Sequence, residues 1–148
     1  MKYIARKYGM MKSDIKEIAK EEQLENEITD IKLRLVNKAY RTEIPDKAAE
    51  MREKENLINE NLKKFEELNK FIEKHKFITG DELSYVDFMA YEYLDWYREL
   101  VNKNIFQNFP NIERFLKNFE EISTLKSYFQ NSREPIFNSF IKFGQVKD

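Results

Sequence analysis

The chain has 148 residues, a length typical of one domain, and its 26 Lys and Arg residues nearly balance its 27 Asp and Glu residues. The resulting formal net charge of −1 argues against a nucleic-acid partner, since neutralising phosphates requires an uncompensated basic surface. The chain has only 3 Gly and 3 Pro, too few for the many turns of a β-sandwich or barrel. It has 0 Cys, which excludes disulfides, thiolate metal sites and a cysteine nucleophile.

The first half of the chain predicts a short helix followed by two long ones. Residues 2–8 have the pattern of a helix end, with Gly9 as the C′ residue. We expect Ser13 to cap the next helix, which keeps apolar residues at helical spacing to about Arg41. After a short loop, the same spacing predicts a helix over residues 47–74. Both long helices have strongly charged outer faces, which is typical of an antiparallel helical bundle.

The clearest local signal in the sequence is the start of the next helix. Ser84 has the position of an N-cap, and Asp87 three residues later completes a capping box, in which each side chain accepts from the other residue's backbone amide. Leu83 and Phe88 occupy the two positions of a hydrophobic staple. The stretch up to Val101 is apolar on most sides, so we expect a central, buried helix. Ser84 and Asp87 are therefore interpreted as structural residues.

Two shorter helices are expected to complete an all-α fold. Their pattern covers residues 112–121 and 124–131, after a loop at 109–111. The apolar tail from Pro135 is expected to fold back over the bundle, because exposing so many large apolar side chains is unfavourable. No apolar run approaches the length of a membrane span, and no charged-then-apolar leader opens the chain.

No cluster of residues in the sequence predicts catalysis by itself. His75, the only histidine, has neither an orienting partner nor a nucleophile at a telling spacing, and we interpret it as a solvated residue at a helix end. Neither a metal-binding spacing nor a phosphate-binding glycine loop is present, so we expect no metal and no bound cofactor. Asp30 is either an exposed helix position or a functional carboxylate, and Tyr40 either packs or lines a cleft.

Five short segments carry a resemblance to a known family. They are an Ile-Ala-Arg-Lys run within 3–7, a Glu-Asn-x-x-x-Asp segment at 25–30, a Phe-x-x-Gly-Asp…Ser-Tyr-x-Asp-Phe motif within 77–88, Phe-Pro-Asn at 109–111 and Pro-Ile-Phe at 135–137. In this order they resemble the all-helical C-terminal domain of the glutathione S-transferases, specifically the mu class. The resemblance covers essentially the whole chain.

The resemblance implies a division of the chain and a set of partners. Residues 1–10 would be the end of the last helix of a thioredoxin-like first domain, and residues 11–148 would be the C-terminal helical domain. The family conjugates glutathione, as a co-substrate, to hydrophobic electrophiles in cytoplasmic detoxification. We therefore expect a homodimer when the protein is full length, a cytoplasmic location, and neither nucleic acid nor membrane as a partner.

The resemblance also assigns roles to residues of the electrophile side of the site. Asp30 would reach the α-amino group of glutathione bound in the neighbouring subunit. Tyr40 would be the catalytic residue that offers its hydroxyl to the developing charge or the leaving group. The electrophile site would be lined by Leu33, Phe137 and Asn138.

A dimer contact and two departures from the mu pattern follow from the same resemblance. Lys2 and Arg6 would form ion pairs with Glu22 of the partner subunit across a two-fold axis. Thr29 stands where mu members usually have a methionine, and Lys32 lies two residues beyond the aspartate. These departures leave the preferred electrophile open.

In this family the tyrosine that activates the glutathione sulfur lies in the first domain, with most of the residues that bind the tripeptide. Because stabilising that thiolate is the central catalytic act, we expect negligible conjugating activity from this chain alone. The alternative interpretation is a non-catalytic transferase-like helical module used in protein assembly. The retained Asp30 and Tyr40 count mildly against that alternative.

Overall fold

The structure is a computed structural model that describes residues 1–41, 43–131 and 141–144. Its helices are α1 (Lys2–Lys7), α2 (Ile15–Arg41), α3 (Lys47–Ile72), α4 (Tyr85–Leu100), α5 (Pro110–Glu120) and α6 (Ser123–Asn131). Over these described residues the backbone forms no strand, and the one β-type pairing is an isolated bridge between Phe77 and Gly80. The prediction of an all-α helical bundle is confirmed.

The start of α2 corrects one prediction. Asp14, and not Ser13, caps this helix, because its Oδ1 accepts from the backbone N–H of Lys16 at 2.9 Å and of Glu17 at 3.2 Å. The Ser13 prediction is wrong because the charged side chain one residue later reaches two free amides and is favoured by the helix dipole. From there α2 continues to Arg41, as the apolar spacing predicts.

The other helix boundaries agree with the sequence predictions to within two residues. α1 is followed by Gly9 at φ 68°, the left-handed conformation expected of a C′ glycine. α3 ends at Ile72 rather than at 74. α5 begins at Pro110 rather than at 112, because proline lacks the N–H that the first turn of a helix cannot use.

α4 is the central helix, and it packs against α2 and α5 while α3 packs against the same two helices. The Tyr97 hydroxyl connects three of these helices: it donates to the Ile31 carbonyl of α2 at 2.9 Å and accepts from Nδ2 of Asn61 of α3 at 3.0 Å. The Phe65 ring of α3 meets the Tyr97 ring edge-on at 5.4 Å. Burial raises the pKa of Tyr97, so its hydroxyl stays protonated and remains a donor.

The described part of the C-terminal tail packs against the end of α2. Ile141 and Phe143 are buried, and the backbone N–H of Lys142 donates to the carbonyl of Ala39 at 2.6 Å. Residues 141–144 therefore fold back over the bundle, as expected of the tail. The apolar residues predicted to do the same at 135–140 lie outside the described residues.

Candidate functional site

Asp87 is buried in the first turn of α4, and its oxygens accept hydrogen bonds from donors of the chain itself. Oδ1 accepts from the Ile78 N–H at 2.8 Å, and Oδ2 accepts from the Ser84 N–H at 2.8 Å and from the Thr79 hydroxyl at 3.1 Å. Ser84 in turn accepts from the Val86 N–H at 3.1 Å, and both halves of the capping box are present. Burial raises the pKa of the Asp87 carboxyl, and these hydrogen bonds oppose that rise. The geometry is that of a structural hub.

The outer face of α2 has a different character. Asp30, Leu33 and Tyr40 lie three and seven residues apart, a spacing that places all three side chains on one face of the helix. Asp30 has 58% of its side-chain surface exposed and Leu33 is 48% exposed, whereas Tyr40 is half-buried and packs on the core. The structure therefore brings together three of the residues assigned to the site by the resemblance. They span about 15 Å along the helix axis.

Asp30 is held by an ion pair across the bundle while it stays exposed. Its Oδ2 lies 3.3 Å from Nζ of Lys64 on α3, and the same ammonium also hydrogen-bonds Glu27. Burial acts to lower the pKa of Lys64, but the two carboxylates outweigh it, and the pKa is raised. The contact fixes the carboxylate at the edge of the α2 face without removing it from solvent.

The residues predicted for the dimer contact gather where α1 meets α2. Nζ of Lys2 lies 2.7 Å from Oε2 of Glu25 in the same chain, and the Tyr85 hydroxyl donates to that same oxygen at 2.9 Å. The hydrogen bond that Lys2 donates to Glu25 raises the pKa of Lys2, and the charge of Glu22 contributes to the same rise. Arg6 is exposed beside them. The contact of Lys2 and Arg6 with a second subunit stays a prediction, and Glu25 is an ion-pair partner that sequence reasoning missed.

Two apolar recesses were also missed by sequence reasoning. One of about 120 Å³ lies between α2 and α3. The other is a groove of about 460 Å³ along α4, α5 and α6, mostly aromatic and with its walls including Phe88, Met89, Tyr93, Phe119, Tyr128 and Phe129. We call the second recess the aromatic groove. Its residues come from distant parts of the sequence, so no local pattern predicts it.

Two residues predicted for the electrophile site, Phe137 and Asn138, lie outside the described residues. The described segment 141–144 meets α2 at Ala39, the residue before Tyr40. Residues 141–144 therefore lie at the end of α2 that carries Tyr40.

His75 is half-buried just beyond α3, with Nδ1 at 4.0 Å from Oδ1 of Asp81. Nothing in that contact resembles a base that activates a nucleophile. In the part of the chain that the structure describes, no group of three His, Cys, Asp or Glu residues is placed to hold a metal ion. Nor does any helix of that part have the length and apolar character needed to cross a bilayer.

The known proteins that are similar to this chain are glutathione S-transferases. Residues 29–132 match the family model of the glutathione S-transferase C-terminal domain. The chain is 34% identical to glutathione S-transferase B of Cavia porcellus, over 95% of this chain and 63% of that protein. It is 28% identical to glutathione S-transferase Mu 1 of Bos taurus, over 97% of this chain and 64% of that protein. The crystal structure of the glutathione S-transferase Blo t 8 superposes with a TM-score of 0.85 at 34% identity, over 97% of this chain and 67% of that one. The chain thus spans a little under two thirds of the length of the first two relatives.

Proposed function

The chain belongs to the glutathione S-transferase family through its C-terminal domain, and from that premise we propose that it supplies the electrophile-binding side of a mu-like glutathione transferase. The observation that carries the proposal is the outer face of α2, where Asp30, Leu33 and Tyr40 lie in register and exposed or half-buried. None of these three side chains belongs to the capping network of α4. In the proposed reaction the glutathione sulfur forms a bond to an electrophilic carbon, and the displaced electron pair leaves with the departing group or moves onto the substrate.

Each of the three residues has a separate part in that proposal. The Asp30 carboxylate would accept from the α-amino group of glutathione held by a second subunit, since an exposed carboxylate suits an ammonium partner. The Tyr40 hydroxyl would donate to the oxygen or halide on which negative charge develops. Leu33 would provide an apolar contact for the electrophile. The half-buried position of Tyr40 strengthens such a hydrogen bond, because the local dielectric is lower than in water.

By resemblance to the family, the residues that generate the thiolate would lie outside this chain. We propose a thioredoxin-like domain for that role, in keeping with the greater length of the relatives. Exposed apolar side chains on and beside α1, those of Tyr3, Ile4 and Tyr8, offer a surface against which such a domain would pack. A homodimer, a cytoplasmic location and a role in detoxification form part of the same proposal.

The proposal is tested by restoring the first domain. The first domain of the Cavia porcellus relative is fused upstream of the chain, and conjugation of glutathione to 1-chloro-2,4-dinitrobenzene is measured. We expect turnover by the fusion and none by the chain alone. Tyr40→Phe in the fusion should lower kcat by at least about tenfold, and Asp30→Asn should raise the KM for glutathione by about tenfold. Tyr128→Phe on α6 is the matched control and should change neither.

A fusion that is folded and binds glutathione but conjugates no electrophile would contradict the proposal. The same holds if Tyr40→Phe and Tyr128→Phe have equal rates. The first outcome favours the alternative, a transferase-like module without a catalytic role, and the second would remove Tyr40 from the proposed site.

A further inference from the structure

We propose that Lys32 makes the electrophile site selective for aromatic substrates that carry an acidic group, a carboxylate or a sulfonate. The inference rests on the proposed function, because it deepens the description of the same α2 face. It is carried by the position of Lys32 on α2, by its surroundings and by the aromatic side chains opposite it.

Lys32 belongs to a row of residues on α2 that lies between the outer face of this helix and α4. Thr29, Lys32, Val36 and Tyr40 follow one another at spacings of three, four and four residues, and all four are half-buried. Such spacing keeps the side chains on one side of a helix. The row lies beside Leu33, and Lys32 is two helical turns, about 12 Å, from Tyr40. A ligand that contacts Leu33 and Tyr40 therefore has Lys32 at the other end of the same strip.

In the part of the chain that the structure describes, the ammonium of Lys32 has an aromatic partner and no counter-charge. Its Nζ lies 4.8 Å from the centre of the Tyr93 ring on α4, a cation–π contact. Across residues 1–41, 43–131 and 141–144, no carboxylate lies within salt-bridge distance of it. The half-buried lysines Lys38 and Lys54 are different, because each forms an ion pair, with Glu53 at 2.8 Å and with Glu50 at 2.6 Å respectively. A half-buried cation without a counter-charge is prepared for an anionic ligand.

The aromatic side chains next to Lys32 provide the surface for the rest of such a ligand. Tyr93 meets Trp96 edge-to-face, with ring centres 6.0 Å apart. The Trp96 Nε1–H donates to Oε1 of Glu92 at 2.9 Å, so that carboxylate is engaged on α4. Contact with these rings contributes binding free energy for an aryl group, and the ammonium contributes more when the aryl group carries an acidic substituent. A neutral aryl group has only the contact with the rings.

Trp96 is the only tryptophan in the chain, and it lies beside the proposed site. The intact 148-residue chain is titrated with 4-nitrobenzoate and with its neutral counterpart 4-nitrobenzamide, and quenching of the Trp96 fluorescence is recorded. We expect 4-nitrobenzoate to bind about tenfold more tightly than 4-nitrobenzamide. Lys32→Gln should abolish that preference while leaving the binding of 4-nitrobenzamide unchanged, and Lys32→Arg should keep it.

Lys20→Gln is the matched control, since Lys20 is also on α2 and its Nζ also lies 4.8 Å from a ring centre, that of Phe71. It should leave the preference for 4-nitrobenzoate intact. Equal affinities of the two ligands, in the wild type and in Lys32→Gln, would overturn the role of Lys32 and leave the electrophile site standing. A preference that is lost equally in Lys20→Gln would overturn it too. If neither ligand quenches Trp96, both the inference and the proposed site fail. A Lys32-dependent preference together with an inactive fusion protein would overturn only the proposed function.

Discussion

The first turn of α4 and the outer face of α2 both contain an aspartate at a family motif, but the two carboxylates have opposite surroundings. Asp87 is buried and accepts three hydrogen bonds from the backbone and side chains around it. Asp30 is 58% exposed and has one ion pair, to Lys64. The Asp87 carboxylate is hydrogen-bonded within the fold, and the Asp30 carboxylate remains accessible to a ligand. An aspartate in a family motif is therefore assigned to structure or to function by what its oxygens contact.

A large loss of stability is expected from removing the buried carboxylate. Asp87→Ala leaves the amides of Ile78 and Ser84 without an acceptor, and a buried unsatisfied donor costs about 1–3 kcal/mol each. We expect the free energy of unfolding to fall by about 3 kcal/mol or more, measured by urea denaturation. Asp30→Ala should change it by less than about 0.5 kcal/mol, because exposed ion pairs contribute little. Equal losses for the two variants would contradict the assignment of Asp87 to the fold and of Asp30 to a ligand.

A smaller effect is expected at the start of α2. Asp14→Ala removes the acceptor of two amides and should lower the free energy of unfolding by about 1 kcal/mol. Ser13→Ala is the matched control and should have almost no effect. Thermal unfolding followed by circular dichroism measures both variants. If Ser13→Ala proved the more destabilising, the assignment of the cap to Asp14 would be wrong.

Most of the fold could be predicted because its signals are local. The capping box is contained in four consecutive residues, and the long helices show their apolar faces through periodicity. The cap of α2 was placed one residue too early because Ser13 and Asp14 are both good capping residues, and only side-chain geometry separates them. A single sequence offers no rule for that choice.

The site was predictable only where one helix carries it. Asp30, Leu33 and Tyr40 share a face because helical spacing requires it, so their proximity follows from the sequence. The bond between Glu25 and Tyr85 joins residues 60 positions apart, and the contact of Lys32 with Tyr93 also connects two helices. Such pairs depend on how α2 packs on α4, and no pattern within either helix reveals them.

The smallest change in stability is expected on the α2 face itself. Leu33 is 48% exposed, whereas Leu35, two residues later on the same helix, is fully buried. Leu33→Ala should alter the free energy of unfolding by less than about 0.5 kcal/mol, and Leu35→Ala should lower it by about 2–5 kcal/mol.

In the fusion with a first domain, Leu33→Ala should still raise the KM for the electrophile by several fold, because it removes an apolar contact of the ligand. The exposed face of α2 thus predicts that Leu33 contributes to substrate binding and not to stability. A Leu33→Ala fusion with an unchanged KM would mean that the electrophile binds elsewhere.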